Sequence, residues 1–193
     1  LMLFTILYML TILLMEKKDK EIYKGLSDTD ALTGLFNRRA FQAAVDETLL
    51  KRIAGIFIFI DVDNFKDYND KYGHANGDLC LKHFAATMKK CFPKDSILGR
   101  YGGDEFVVYI KNAVSDDAHR YMDEFQREIS HLMMSGGEHV TVSASAGGVA
   151  FIGEGEDFVS LCRSADNMLY DVKRNGKCTF KIKGAKNMLI KFT

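Results

Sequence analysis

Hydrophobic and polar positions divide the chain into three unlike stretches. Residues 1–15, LMLFTILYMLTILLM, are apolar on every side, relieved only by Thr5, Tyr8 and Thr11, and no charge occurs before Glu16. Residues 16–27, EKKDKEIYKGLS, are charged and helical in spacing. From residue 28 the pattern alternates between helix and strand periods. Asp28 or Asp30 can cap a helix, and Asn37 opens an amphipathic run to Arg52. Residues 55–63, GIFIFIDVD, are β-branched and aromatic and apolar on both faces until Asp61. That predicts a central buried strand ending in carboxylates. Residues 64–72 and 77–92 predict helices. Residues 96–101 and 105–110 predict two short strands around Gly102-Gly103-Asp104, the strongest hairpin signal in the chain. A helix over 115–134 follows, with Asp116 and Asp117 in its first turn, then an alternating strand over 138–151. A helix over 157–175, stopped by Gly176, and a last strand over 178–182 complete the pattern. Strands alternating with helices around one hairpin predict an α/β or α+β sandwich with a central mixed sheet.

A fifteen-residue helix spans about 22 Å, short of the roughly 30 Å hydrocarbon core that takes about 20 residues. Residues 1–15 are therefore expected to be the last part of a transmembrane helix, entering the cytosol at the lysines of EKKDK. A signal-peptide core and a buried helix are the alternatives. No small-residue cleavage site follows, and a soluble core helix usually keeps a polar face. Residues 16–27 form a connector too short for a sensory domain, so any sensor is expected upstream.

The composition, 47% hydrophobic and 27% charged over 193 residues, is that of one globular domain with an appendage. Twenty-six basic residues balance 26 acidic ones, which argues against a protein that wraps a nucleic acid polymer by bulk electrostatics. The four cysteines form no C-x-x-C pair and read as reduced thiols of a cytosolic domain. The neutral total conceals an asymmetry. Residues 61–78 hold five aspartates against two lysines, while residues 173–193 hold seven Lys and Arg and no acid.

Asp61 ends an apolar strand and Asp104 sits on the hairpin tip. If those strands are neighbours, the two carboxylates converge at one sheet end and suit Mg²⁺, which takes one or two carboxylates and fills its shell with water and phosphate. Either aspartate alone is more often a turn former. The helix start at Val62-Asp63-Asn64-Phe65-Lys66 offers backbone N–H groups to a phosphate. Asn69, Asp70 and GHANGD (73–78) follow, and an Asn amide with an Asp carboxylate can read a guanine edge. Singly, each of these is more often a cap or turn residue, and His74 a structural hydrogen-bonder.

RYGGDEF (100–106) resembles the signature of the GGDEF family of diguanylate cyclases, as do DALTGLFNRRAF (30–41), FIDVDNFKDYND (59–70), YGHANGD (72–78) and ADNMLYDVKRNGK (165–177). The five motifs are collinear over roughly residues 28–182, a highly specific match. The resemblance implies a palm-like fold akin to nucleotide cyclases and polymerases, with a mostly antiparallel central sheet flanked by helices. It also implies condensation of two GTP into cyclic di-GMP with release of two pyrophosphates. By the same resemblance Asp61, Asp104 and the carbonyl of Val62 hold Mg²⁺ (or Mn²⁺), and Asn69 and Asp78 bind guanine. The backbone at Asn64, Phe65 and Lys66 cradles phosphate, Lys173 and Lys177 contact the terminal phosphates, and Asp104 and Glu105 are catalytic, Glu105 helping to activate the 3′-hydroxyl. Each domain holds one GTP, so a homodimer is implied, with the catalytic domain on the cytoplasmic side of the bacterial inner membrane.

Two departures bear on this reading. Pro93-Lys94-Asp95-Ser96 stands where the family carries its R-x-x-D inhibitory product site, so Pro93 and Ser96 imply weak or no feedback there. Lys177 replaces a usual Arg, keeping the charge but losing the bidentate fork. Asp78 favours strict GTP use. A catalytically inactive GTP-binding regulatory module is the rival reading. Such members usually lose a signature acid, whereas Asp61, Asp104, Glu105 and Lys173 all remain. The expected organisation is a membrane segment (1–15), a connector (16–27), a catalytic domain (28–183) and a tail of unknown role (184–193).

Overall fold

A computed structural model describes residues 28–130, 132–133, 139–152 and 154–183, together with residues 8, 9 and 12. The expected membrane segment, apart from those three residues, and the connector and tail lie outside the described residues. Among the described residues no helix is long and apolar enough to cross a membrane. In chain order the elements are β1 (Phe36–Asn37), α1 (Arg38–Leu50), β2 (Gly55–Val62), α2 (Phe65–Tyr72), α3 (His74–Cys91), β3 (Ile97–Gly102), β4 (Glu105–Lys111) and α4 (Ser115–Ile129). They continue with β5 (Leu132–Met133), β6 (His139–Val140), β7 (Ala144–Phe151), α5 (Phe158–Arg174) and β8 (Phe180–Lys183).

Six strands form one sheet in the order β1-β3-β4-β2-β7-β8, and β5 pairs with β6 separately. β2 is the centre, antiparallel to β4 and β7 on its two sides. β3 is antiparallel to β4, while the outermost strands β1 and β8 are each parallel to their neighbour. This mixed sheet with helices on both faces is the α+β fold expected from the sequence.

All eight residues of β2 are buried because both of its faces are covered. Ile56, Ile58, Ile60 and Val62 join Phe84 and Met88 of α3 and Met122 and Phe125 of α4 in one core. Phe57 and Phe59 face the opposite way, into a second core with Phe41 of α1 and Phe158, Leu161, Ala165 and Leu169 of α5. Side chains alternate across a strand, so Asp61 continues the row of Phe57 and Phe59. On β4, Val107 and Tyr109 belong to that same second core, and Glu105 extends their row.

Gly147 lets α5 lie directly on β7. A Cβ there would meet Leu169 N at 2.2 Å and Ala165 O at 2.3 Å. Because α5 runs back along β7 towards the Asp61 end of β2, this close approach carries Lys173, one turn beyond Leu169, to the acidic end of the sheet.

Several boundaries differ from the sequence reading. Asn37, not Asp28 or Asp30, caps the first helix, its side chain accepting the Ala40 N–H at 3.0 Å. The helix expected over 77–92 starts earlier, at His74: Gly73 ends α2 and also opens α3, its carbonyl accepting from the N–H groups of Asn76 and Gly77. Asp78 stands on that helix, as expected. The helix expected to reach Met134 ends at Ile129. The strand expected over 138–151 is divided into β6 and β7, with Ser143 between them drawn to Asp63.

Candidate active site

Register puts Asp61 of β2 opposite Glu105 of β4 and Ser145 of β7. Directly opposed residues share a sheet face, so two carboxylates meet where two apolar rows stop. The hairpin tip closes over them: Val62 N–H donates to Asp104 O at 3.2 Å, and the Asp104 carboxylate is near enough to repel both Asp61 and Glu105. Lys173 Nζ lies 2.8 Å from Asp61 Oδ2.

Burial pushes the Asp61 carboxyl above its ordinary range, against the pull of Lys173 and with added repulsion from Asp104 and Asp63. Glu105 is raised for the same first reason, burial, and then by Asp61 and Asp104. Three mutually repelling acids with one lysine form a site of surplus negative charge. Among the described residues no three His, Cys, Asp or Glu side chains gather as a metal cluster. The oxygen set of Asp61, Asp104 and the Val62 carbonyl fits Mg²⁺ all the same, because that ion keeps water and substrate phosphate in most of its shell.

The remaining expected residues fall around this centre. Asn64 adopts a left-handed conformation, φ 55° and ψ 30°, and opens α2 without a side-chain cap, leaving the N–H groups of that first turn to another partner. Lys177 Nζ donates to Asn64 Oδ1 at 2.7 Å. Phe65 is half-buried and Lys66 exposed. Asn69 lies on α2 and Asp78, exposed, on α3. The Asn69 Oδ1 is buried with no hydrogen-bond partner, in a space that exists because residue 77 is glycine: a Cβ there would meet that oxygen at 1.9 Å. An orphaned buried acceptor fits a ligand N–H. Pro93 and Ser96 are joined by a turn, Ser96 N–H to Pro93 O at 3.0 Å.

Two supports were not assigned from sequence. Arg100 donates to both oxygens of Asp30, at 3.1 and 3.2 Å, and to Gly103 O at 2.9 and 2.7 Å. It thereby ties the hairpin tip, where Gly103 has φ 38°, to the turn at Asp30. The only sequence signal is that Asp30 sits in a turn and Arg100 lies near the end of a strand, just before the Gly-Gly-Asp hairpin tip. Burial opposes ionisation of Asp30, but hydrogen bonds from Thr33 and Arg100 hold its carboxyl below the ordinary 3.8. That depression contributes stability which is present above 3.8 and lost as pH falls through the lower folded value. Arg100→Ala should loosen Asp104 and lower about 10- to 100-fold any catalysis that depends on its carboxylate. Melting curves of the variant should also show a shallower loss of stability on acidification than those of the parent. The second support is Asp63, just past the end of β2, whose partners Ser143 and Ser145 lie 80 and 82 residues away in sequence.

A mixed sheet whose central strand and adjoining hairpin gather acids beside a lysine suits cation-assisted chemistry on phosphates. The model of the diguanylate cyclase GGDEF domain matches residues 27–179. The chain is 31% identical over 166 residues to the diguanylate cyclase DgcM of Escherichia coli K12, covering 84% of this chain and 40% of DgcM. It is also 31% identical over 168 residues to the cyclic di-GMP phosphodiesterase PdeR of the same organism, covering 86% of this chain and 25% of PdeR. The chain thus spans less than half the length of these relatives. The GGDEF domain of DgcB from Caulobacter crescentus, solved in complex with c-di-GMP, superposes with a TM-score of 0.74 at 28% identity, covering 80% of this chain and 92% of that one. The chain belongs to the GGDEF-domain diguanylate cyclase family.

Proposed function

We propose that this chain condenses two GTP molecules into cyclic di-GMP with release of two pyrophosphates, each protomer of a homodimer holding one GTP. The observation that carries this reading is the meeting of Asp61, Asp104, Glu105 and Lys173 at the end of β2 and β4. Mg²⁺, or Mn²⁺ in its place, held by Asp61, Asp104 and the Val62 carbonyl, would neutralise charge on the triphosphate. The backbone N–H groups at Asn64, Phe65 and Lys66, with the Lys173 and Lys177 side chains, bind the phosphates. Asn69 and Asp78 read the guanine edge. Glu105, whose raised pKa suits a general base better than an ordinary carboxylate, takes the proton of the attacking 3′-hydroxyl. The 3′-oxygen then forms its bond to the α-phosphorus as pyrophosphate leaves.

Each domain has one such site, so the attacking hydroxyl comes from the GTP of a facing copy. Specific activity is expected to rise with protein concentration and to fall away in dilute monomer. Equal specific activity across a dilution series would exclude the dimer requirement. Residues 1–15 are read as a membrane segment, which would set the domain at the cytoplasmic face of a bacterial inner membrane and raise the local concentration. With Pro93 and Ser96 in place of the R-x-x-D residues, weak or no product feedback is expected through that site.

A catalytically inactive GTP-binding regulatory module is the second reading, favoured by the similarity to a protein named for phosphodiesterase activity. Retention of Asp61, Asp104, Glu105 and Lys173 favours the cyclase. The deciding experiment incubates concentrated protein with GTP and Mg²⁺ and resolves the nucleotides by chromatography. Cyclic di-GMP from the parent and none from Asp104→Ala supports the cyclase. GTP binding without product from the parent supports the regulatory module.

A further inference from the structure

Asp63 lies two residues beyond Asp61, just past the end of β2, and a third acid so placed would ordinarily be counted among ligands for a cation. Its carboxylate is engaged elsewhere. Oδ1 accepts from Ser145 Oγ at 2.6 Å, and Oδ2 accepts from Ser143 Oγ at 2.9 Å and from the Cys178 N–H at 3.1 Å. The Asp63 N–H in turn donates to Ser143 O at 2.9 Å. Three acceptor positions of about four are therefore filled from within the chain, two by the start of β7 and one by the turn between α5 and β8.

That turn is costly to hold. Gly176, Lys177 and Cys178 have φ values of 117°, 60° and 54°, and two of these are L residues in the left-handed region, which they rarely adopt. Such backbone persists where its surroundings over-determine it. Here the surroundings are the end of α5, where the Lys177 N–H donates to Val172 O at 3.2 Å, and two consecutive residues of one loop. Asp63 takes the Cys178 N–H, while Asn64, itself left-handed, takes the Lys177 ammonium on Oδ1 at 2.7 Å. The loop that starts α2 and the turn that carries Lys177 are thus joined at adjacent positions on both sides.

We infer that Asp63 is a positioning residue for nucleotide binding. It accepts the Cys178 N–H and so holds Lys177 against the phosphate-binding start of α2, and it is not a ligand of the cation. The inference rests on the GTP reading given above and deepens it by assigning the residue that sets one phosphate contact.

GTP binding by the full chain, measured by calorimetry with Mg²⁺ at a concentration too low for the dimer, needs no turnover and separates the two readings. If the parent binds no GTP, the underlying reading fails and this inference falls with it. Given binding by the parent, Asp63→Ala should weaken GTP affinity about 10- to 100-fold. Asp63→Asn should restore most of it, because its amide oxygen can accept from Cys178 while its NH₂ group donates to Ser145, whose hydroxyl rotates to accept. A ligand role predicts the opposite, an Asn variant as deficient as Asp61→Asn. In a Lys177→Met background, Asp63→Ala should add less than twofold, since the contact it positions is already gone. Full additivity of the two changes, or an Asn variant no better than Ala, overturns the inference. Unfolding of the Ala variant does not remove the test, because the comparison of Asp63→Asn with Asp61→Asn remains: an Asn variant as deficient as Asp61→Asn overturns the inference.

Discussion

Asp61→Asn is expected to abolish cyclic di-GMP formation while leaving the protein at least as stable as the parent at pH 7. On the proposed cation role, loss of the Asp61 carboxylate removes several kcal/mol of charge stabilisation, about a 10³-fold fall in turnover. Stability moves the other way. Burial, then the repulsion of Asp104 and Asp63, outweighs the attraction of Lys173 and holds the Asp61 carboxyl above its ordinary 3.8. Folding therefore binds a proton between 3.8 and the raised value. The cost of an ionised Asp61 is absent below that interval and complete above it. A neutral Asn escapes the cost, and the Lys173 released by the change is exposed enough to be rehydrated. Melting temperatures across a pH series should show the variant equal or higher at pH 7, with the gap closing as the buffer approaches 3.8. A variant markedly less stable at neutral pH would make Asp61 a structural partner of Lys173 instead of a residue kept for chemistry.

Gly147→Ala is expected to produce the largest loss of stability from a single added methyl. Alanine at a compatible site gains about 0.4–1 kcal/mol from the unfolded chain. Here the added carbon would stand 2.2 Å from Leu169 N and 2.3 Å from Ala165 O, both helix backbone, so no side-chain rotation relieves it. Overpacking of this kind costs about 1–3 kcal/mol and occasionally more. For a chain of this size a net loss of about 2 kcal/mol lowers the melting temperature by roughly 4–8 °C. Because α5 must move away from β7, Lys173 moves with it, and GTP affinity should fall together with stability. Gly148→Ala is the control: its nearest contacts are Ile182 Cγ1 at 3.1 Å and Phe57 O at 3.3 Å, and a milder change is expected. Equal melting of the Gly147 variant and the parent would mean that α5 does not depend on this close approach.

The central strand and its hairpin were legible because their signals are local. An apolar run interrupted at Asp61 and a Gly-Gly-Asp turn between β-rich segments specify the elements without knowledge of their neighbours. Asp30 shows where local pattern fails. It reads as a helix cap, yet its carboxylate turns to Thr33 and to Arg100, 70 residues away in sequence, a pairing that only the folded sheet creates. Asp63 was hidden for a related reason, since Ser143 and Ser145 become its partners only when β7 pairs with β2 in one register. The helix start at His74 was missed because Gly73, His74 and Asn76 are turn formers. The chain uses Gly73 as a joint between two helices, without an intervening loop.

The outer strands limit how two copies can meet. β1 contributes two residues, and β8 contributes four, of which Lys181 and Lys183 are exposed. A short border on one side and a lysine-bearing border on the other offer little template for another chain's backbone. Growth of the sheet across molecules is thereby discouraged among the described strands. An encounter between copies is left to helices and loops, where the acidic end of the sheet opens.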